Sequence, residues 1–276
     1  MPDYRELPPP ARLAAAVECF WTMRPSEAAV ETSRGMAGGP GEWQHRVTPD
    51  GCADILFSGL PSGGGLLLVG PMTGWRDFPL RAGERLFGMR FRPGMWSGLV
   101  GAPPAETTDR LLPLDGVWGD ARAGRLAERL AEAPSVERAA EAMADAIPAP
   151  SPADPMARAL SWMEQRRGLV SMDELAGHAG LSARQLRRVA LERTGLPPKF
   201  LARVLRFRHA QERLAAGRRG ALVEVALDCG YYDQAHFIHE FREFSGRTPA
   251  TDAARQPGDG RFFQSPPSPY QVRSGS

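Results

Sequence analysis

The chain predicts an α+β fold in two parts: a small β-barrel or sandwich-like domain with flanking helices, then an all-α domain with two helix-turn-helix motifs. Three observations carry this. Short segments of strand type, separated by Gly- and Pro-rich turns, fill residues 43–92. The stretch IPAPSPADP, Ile147 to Pro155, disfavours helix and stiffens a linker, and everything after it reads helical. Within that helical part, Glu174 to Pro198 and Glu224 to Pro249 are diverged copies of one unit: helix, glycine turn, helix.

Taken in order, Pro10 to Met23 places Leu13, Val17, Phe20 and Trp21 at helical spacing and predicts a helix. Strands are expected over Trp43–Thr48, Cys52–Ser58, Leu66–Val69, Trp75–Leu80 and Arg85–Arg92, with a turn at Pro49-Asp50-Gly51. In the last strand Phe87, Met89 and Phe91 alternate with Leu86, Gly88 and Arg90, so one face is aromatic and the other carries charge. Two helices follow, Asp120–Ala133 with Leu126 and Leu130, and Ser135–Ile147 with Val136, Ala140 and Met143. Their apolar stripes suit either a homodimer through residues 120–147 or a cover for the strands, and periodicity leaves both open.

Beyond the linker, Met156–Arg167 precedes the first unit, and Pro198–Ala216 forms a long amphipathic helix with Phe200, Val204, Leu205 and Leu214 inward. That helix is the connection between the two units, so its rigidity fixes their separation. Residues from Thr251 onward are rich in Pro, Gly and Ser and read as disordered. The expected division is therefore 1–147 for the strand-rich domain with its helices, 148–155 for the linker, 156–250 for the helical domain and 251–276 for the tail.

Composition narrows the function classes. Hydrophobic content is 42%, enough for ordinary cores, yet no apolar run approaches the roughly 18 residues of a membrane span. The start MPDYRELPPPARL has no charged-then-apolar signal pattern, so a cytoplasmic location without membrane attachment is expected. Cys19, Cys52 and Cys229 lack CxxC spacing and read as buried thiols rather than a disulfide framework or zinc knuckle. Residues 1–150 carry 15 Arg against 19 Asp and Glu, whereas residues 151–250 carry 16 Arg and Lys against 11. Within Arg184 to Arg213 nine basic residues face only Glu192 and Glu212, which concentrates attraction for phosphate there.

In each unit a glycine, Gly180 or Gly230, turns the chain, and Ser182 or Asp233 is suited to cap the second helix. One extra residue sits in the second turn. Leu186, Val189 and Ala190 form the inward stripe of one second helix; Phe237, Phe241 and Phe244 form that of the other. Arg184, Arg187 and Arg188 remain outward in the first, and Gln234, His236 and His239 in the second. Such side chains read a DNA groove: arginine offers a fork to guanine, glutamine a donor and acceptor to adenine. Half-sites about one duplex turn apart would suit two readers on one helix.

The segment GYYDQAHFIHEFREFSGRTP, Gly230 to Pro249, resembles the signature of AraC/XylS-type transcription regulators through its glycine turn, DQ-x-HF start, FR pair and G-x-TP end. The resemblance covers roughly residues 156–250. It implies seven helices, base-facing positions at Arg184, Arg187, Arg188, Gln234, His236 and His239, and double-stranded DNA and RNA polymerase as partners. Two departures weaken the second unit: the family usually has arginine where Ile238-His239 stands, and an aromatic-basic pair where this chain has Thr251-Asp252-Ala253. The N-terminal part is similar, through VTPDGCADILFS, VGPMTGW and FGMRFRPGMW, to an uncharacterised domain found in front of some regulators of this type. Such domains usually sense a small molecule or form a dimer.

A sensor pocket combines apolar walls with a few polar anchors. Trp43, Trp75, Phe91 and Trp96 are candidate walls, and His45, Asp50, Asp54, Arg90 and Arg92 candidate anchors, with Arg90 suited to an anionic effector. No cofactor is expected. His45 is the only histidine before residue 178, too few for a barrel metal enzyme. An alkyl-accepting Cys19 or Cys52 would need a nearby base or thiol cluster, and neither is evident. The alternatives to a sensing regulator are a ligand-independent architectural DNA binder and an enzyme fused to a DNA-binding domain.

Overall fold

Val17–Arg24 is a strand rather than the helix predicted from its spacing. Val17, Cys19, Phe20, Trp21 and Met23 are all buried, because both faces of this strand are covered. A strand without a wet face shows a near-continuous apolar run, and such a run imitates helical spacing. Only Ala11–Leu13 ahead of it makes a single 3₁₀ turn. The computed structural model describes residues 3–25, 42–60, 63–81, 83–150, 154–215 and 222–253.

Among the described residues eight strands form two antiparallel sheets: β1 Asp3–Leu7, β2 Val17–Arg24, β3 Glu42–Val47, β4 Ala53–Leu60, β5 Gly63–Val69, β6 Arg76–Arg81, β7 Arg85–Phe91 and β8 Leu111–Pro113. The larger sheet has the order β1-β2-β7-β4-β5-β8, and β3 pairs with β6 alone. Of the expected barrel or sandwich-like domain the closed-barrel form is not adopted: among the described residues the larger sheet is open, with β1 and β8 as edges. Register places Cys19 and Asp54 on either side of Arg90.

One face of this sheet presents Phe20, Ile55, Phe57, Leu68, Phe87, Met89 and Phe91 to the main core. The short helices α1 Ser97–Val100, α2 Pro104–Thr107 and α3 Asp115–Trp118 lead to α4 Asp120–Ala131 and α5 Val136–Asp145. Ser135 caps α5 by accepting from Arg138 N at 3.3 Å. Leu126, Leu130, Ala140 and Met143 enter the same core as the sheet, so the stripes cover the strands. Each large apolar side chain so buried contributes about 1.5–3 kcal/mol. The opposite face carries Cys19, Trp21, Met23 and Leu86, packed with Leu80 of β6. It is a second buried surface, which is why Arg90 is not exposed.

Among the described residues the C-terminal part has seven helices: α6 Pro155–Gln165, α7 Met172–Ala179, α8 Ala183–Thr194, α9 Pro198–Ala215, α10 Leu222–Asp228, α11 Gln234–Ser245 and α12 Pro249–Ala253. Their aliphatic core joins α6–α8 to the start of α9, and a second, aromatic core joins the rest of α9 to α10 and α11. Residues 151–153 of the expected linker and 254–276 of the expected tail lie outside the described residues.

The two parts are in contact. Arg92 Nη1 meets Glu164 Oε1 at 3.1 Å, and Arg208 pairs with Glu18 across the boundary with both side chains about nine-tenths buried. Two further contacts fall on equivalent glycines of the duplicated units. Gly195 ends α8, and its carbonyl accepts from Thr108 Oγ1 at 3.4 Å. Gly246 ends α11 against the Trp75 ring, and the neighbouring Ser245 carbonyl accepts from Arg46 Nη1 at 3.4 Å.

Candidate nucleic-acid interface

Each unit is assembled from local signals. Ser171 and Glu174 form a reciprocal capping box that starts α7, and Ser182 with Gln185 repeats it at α8. Between them Gly180 adopts φ 66°, a left-handed value that side chains beyond glycine disfavour. In the second unit Gly230 has φ 75°, and Asp233 caps α11 by accepting from His236 N at 2.7 Å. Leu181 N donates to Ala176 O at 3.0 Å, as Tyr231 N does to Ala226 O at 3.0 Å. Leu181 and Tyr231 are therefore equivalent, and the inserted residue is Tyr232.

Leu186 and Ala190 are buried in the first unit, with Val189 partly so; Phe237, Phe241 and Phe244 are fully buried in the second. The six expected base-facing residues, Arg184, Arg187, Arg188, Gln234, His236 and His239, are all exposed. A cleft of ≈ 1150 Å³ runs between the units, and Arg187, His236 and His239 line it. Arg184, Arg188 and Gln234 lie outside its lining. Arg188 Nη1 meets Glu192 at 2.9 Å on an open surface, a pairing worth little and easily exchanged for a phosphate or base.

The floor of the cleft comes from α9, whose Lys199, Arg203 and Arg206 were not singled out from sequence. Arg203 pairs with Glu240 at 2.6 Å and Glu243 at 2.5 Å, and Arg206 approaches Glu240 at 3.7 Å. Glu240 is only 2% exposed and fixes α11 to the connecting helix. Its signal in the sequence was an acid at a position of α11 that faces the arginines of α9.

The expected sensor anchors separate. Asp50, Asp54 and Arg90 come together: Arg90 Nε lies 3.6 Å from Asp50 and 3.4 Å from Asp54, while Trp21 Nε1 donates to Asp54 at 2.7 Å. Burial pushes Asp54 up to about 6, with Arg90 opposing. Arg90 is 1% exposed and its charge is already met, so it is not the open anion anchor expected from strand alternation. His45 is buried on β3, in the other sheet, and Arg92 pairs with Glu164. Trp75 is half-exposed, with the Arg46 guanidinium 3.7 Å above its ring. Phe91 and Trp96 belong to the main core, and the side chain of Trp43 lies outside the described residues.

All three cysteines are buried, and burial raises each thiol: Cys229 to about 11, Cys19 and Cys52 further still. Among the described residues no helix is long and apolar enough to cross a membrane.

Two exposed helices of one duplicated motif, joined by one helix across a basic cleft, define a double helix-turn-helix DNA-binding protein. Residues 175–255 match the family described as a helix-turn-helix domain, and residues 5–113 match a domain of unknown function (DUF6597). An AraC-type DNA-binding regulator structure from Chromobacterium violaceum is 30% identical, covering 38% of this chain and 95% of that one with a TM-score of 0.35. The DNA-binding domain of AdpA, a global transcriptional factor solved with a target DNA, is 27% identical over 37% of this chain and 92% of its own, with a TM-score of 0.35. The HTH-type transcriptional regulator ArgR of Pseudomonas aeruginosa is 29% identical over 93 residues, 34% of this chain but only 28% of that protein. Residues 175–255 thus form a helix-turn-helix domain, and the C-terminal part is similar to the DNA-binding domains of AraC-type transcription regulators.

Proposed function

We propose that this regulator reads two adjacent major-groove half-sites, the first through Arg184, Arg187 and Arg188 and the second through Gln234, His236 and His239. The observation that carries the reading is the placement of both exposed helices on one continuous connecting helix of 18 residues, bordering a shared basic cleft. At about 1.5 Å per residue that helix spans about 27 Å, commensurate with readers set about one duplex turn apart. The test is selection of bound duplexes from a random pool by the full chain. A bipartite motif with halves about 10–11 base pairs apart is expected. Arg187→Ala and His236→Ala should each relax preference within one half only; an unchanged motif in both would overturn the assignment.

Residues 1–147 serve in this proposal as an effector-responsive domain and residues 156–250 as the reader, with RNA polymerase as the downstream partner. Support comes from the boundary, where the N-terminal part touches the closing glycine of both units and pairs with the connecting helix through Glu18. A change in that part therefore has a route to both readers. An anionic effector at Arg90 would have to displace Asp50 and Asp54. A homodimer through 120–147 would have to use the polar faces of α4 and α5, since the apolar ones cover the sheet. The proposal includes no catalytic role: Cys19 and Cys52 are buried thiols held protonated. Promoters found by genome-wide mapping, fused to a reporter, should respond to the nutrient supplied; constant output across nutrients would favour the architectural alternative.

A further inference from the structure

The second unit has a charge problem. Leu222–Gly246 holds one basic residue, Arg242, against Glu224, Asp228, Asp233, Glu240 and Glu243, and Arg203 and Arg213 of α9 are engaged by these acids, so the unit offers little free positive charge to a phosphate backbone. A neutral donor at its surface would add to its contacts. The inserted residue of its turn is such a donor: Tyr232 is 87% exposed, whereas its neighbour Tyr231 is 3% exposed and packs on Phe237. The two are separated by one peptide bond but have opposite fates, because Tyr231 occupies the turn position that Leu181 holds in the first unit and Tyr232 has no counterpart there.

Its position determines what it can meet. Tyr232 stands immediately before Asp233, the cap of the reading helix α11. When the first residues of a reading helix enter a major groove, the residue ahead of the cap lies at the groove's rim, beside the sugar-phosphate chain. The cap carboxylate accepts from His236 N at 2.7 Å, which directs it into the helix rather than toward the rim. We infer that Tyr232 is a DNA-backbone contact peculiar to the second unit, its phenolic hydroxyl donating to a phosphate oxygen at the edge of that unit's half-site. This rests on the DNA-reading proposal. The contact adds affinity without sequence information and without counterion release, since the donor is uncharged.

The test uses the full chain and a duplex that the unsubstituted protein has selected from a random pool. Tyr232→Phe removes only the hydroxyl. It should weaken binding about tenfold, on the selected duplex and on single-base variants alike, with the same order of base preference and the same slope of affinity against salt. Tyr232→Lys, another phosphate donor, should keep or strengthen binding at low salt and steepen that slope by about 0.9. Unchanged thermal midpoints, expected for so exposed a position, confirm that folding is intact. Unaltered affinity of Tyr232→Phe, a changed base preference, or weaker binding of Tyr232→Lys would each overturn the inference. Failure of the unsubstituted chain to select any duplex would instead overturn the DNA-reading assignment, leaving the two failures distinct.

Discussion

The two reading units share an ancestor pattern but hold themselves in place differently. Met172–Gly195 carries four arginines against three acids, and its core is aliphatic. Leu222–Gly246 carries one arginine against five acids, and in its core Phe241 meets Phe207 of α9 edge-on, Phe244 meets it at a tilt, and Phe237 meets Phe241 edge-on. Four of the five acids of the second unit have structural roles: Glu240 and Glu243 hold Arg203, Asp228 holds Arg213, and Asp233 caps α11. The first unit can be drawn to DNA by charge and needs little else. The second uses its charge internally, for rigidity, and so must be presented to DNA already in position.

If this contrast is right, the aromatic core should be where the molecule is most easily broken. Phe241→Ala removes a fully buried ring between Phe207 and Phe237 and should cost about 3–5 kcal/mol by denaturant titration. Binding to the second half-site should weaken with it, and recognition of the first half-site should persist. Equal loss at both half-sites would mean that the two cores are not separate.

The acids sharpen the comparison further. Glu240→Ala leaves Arg203 and Arg206 without their buried partner and should destabilise by about 3 kcal/mol. Glu192→Ala, which breaks the exposed pair with Arg188 in the first unit, should cost under about 0.5 kcal/mol. Similar costs for the two acids would remove the distinction between a tied unit and a free one.

Glycine substitutions compare each unit's own turn with its contact to the N-terminal part. A methyl group at Gly180 meets nothing within 4 Å, so Gly180→Ala carries only left-handed strain, about 1–2 kcal/mol. At Gly195 the same group would collide with Thr108 and Pro104, and at Gly246 with the Trp75 ring. Both should cost about 1–3 kcal/mol more than Gly180→Ala. Loss of that excess when Thr108 or Trp75 is also trimmed to alanine would place it at the boundary between the two parts.

Much of the reader was legible because its signals are local. The glycine turns, Ser182 and Asp233 caps and the stripe of α9 are set by residues within four positions of one another. What escaped depends on pairing across the chain. Arg90 looked like an open anchor until the register of β4 beside β7 set Asp54 against it, 36 residues away. The helix expected over Pro10–Met23 failed because burial on both faces erased the alternation that marks a strand. Glu240 stands among Phe237, Phe241 and Phe244 on the buried stripe of α11, and its partner became visible only when α9 brought Arg203 to it.

The smallest expected effect concerns the bases themselves. Arg188 is held only by its exposed pair with Glu192, so on DNA it can turn its fork toward guanine at little cost. His239 lines the cleft in a unit with more acids than arginines, and an imidazole lacks the permanent charge and the fork of a guanidinium. Arg188→Ala should therefore lower affinity for a selected duplex about tenfold and His239→Ala about threefold, measured at one fixed salt concentration. Equal losses would mean that histidine in the second unit reads as strongly as arginine in the first, and the division between a charge-driven reader and a pre-positioned one would then not extend to the bases.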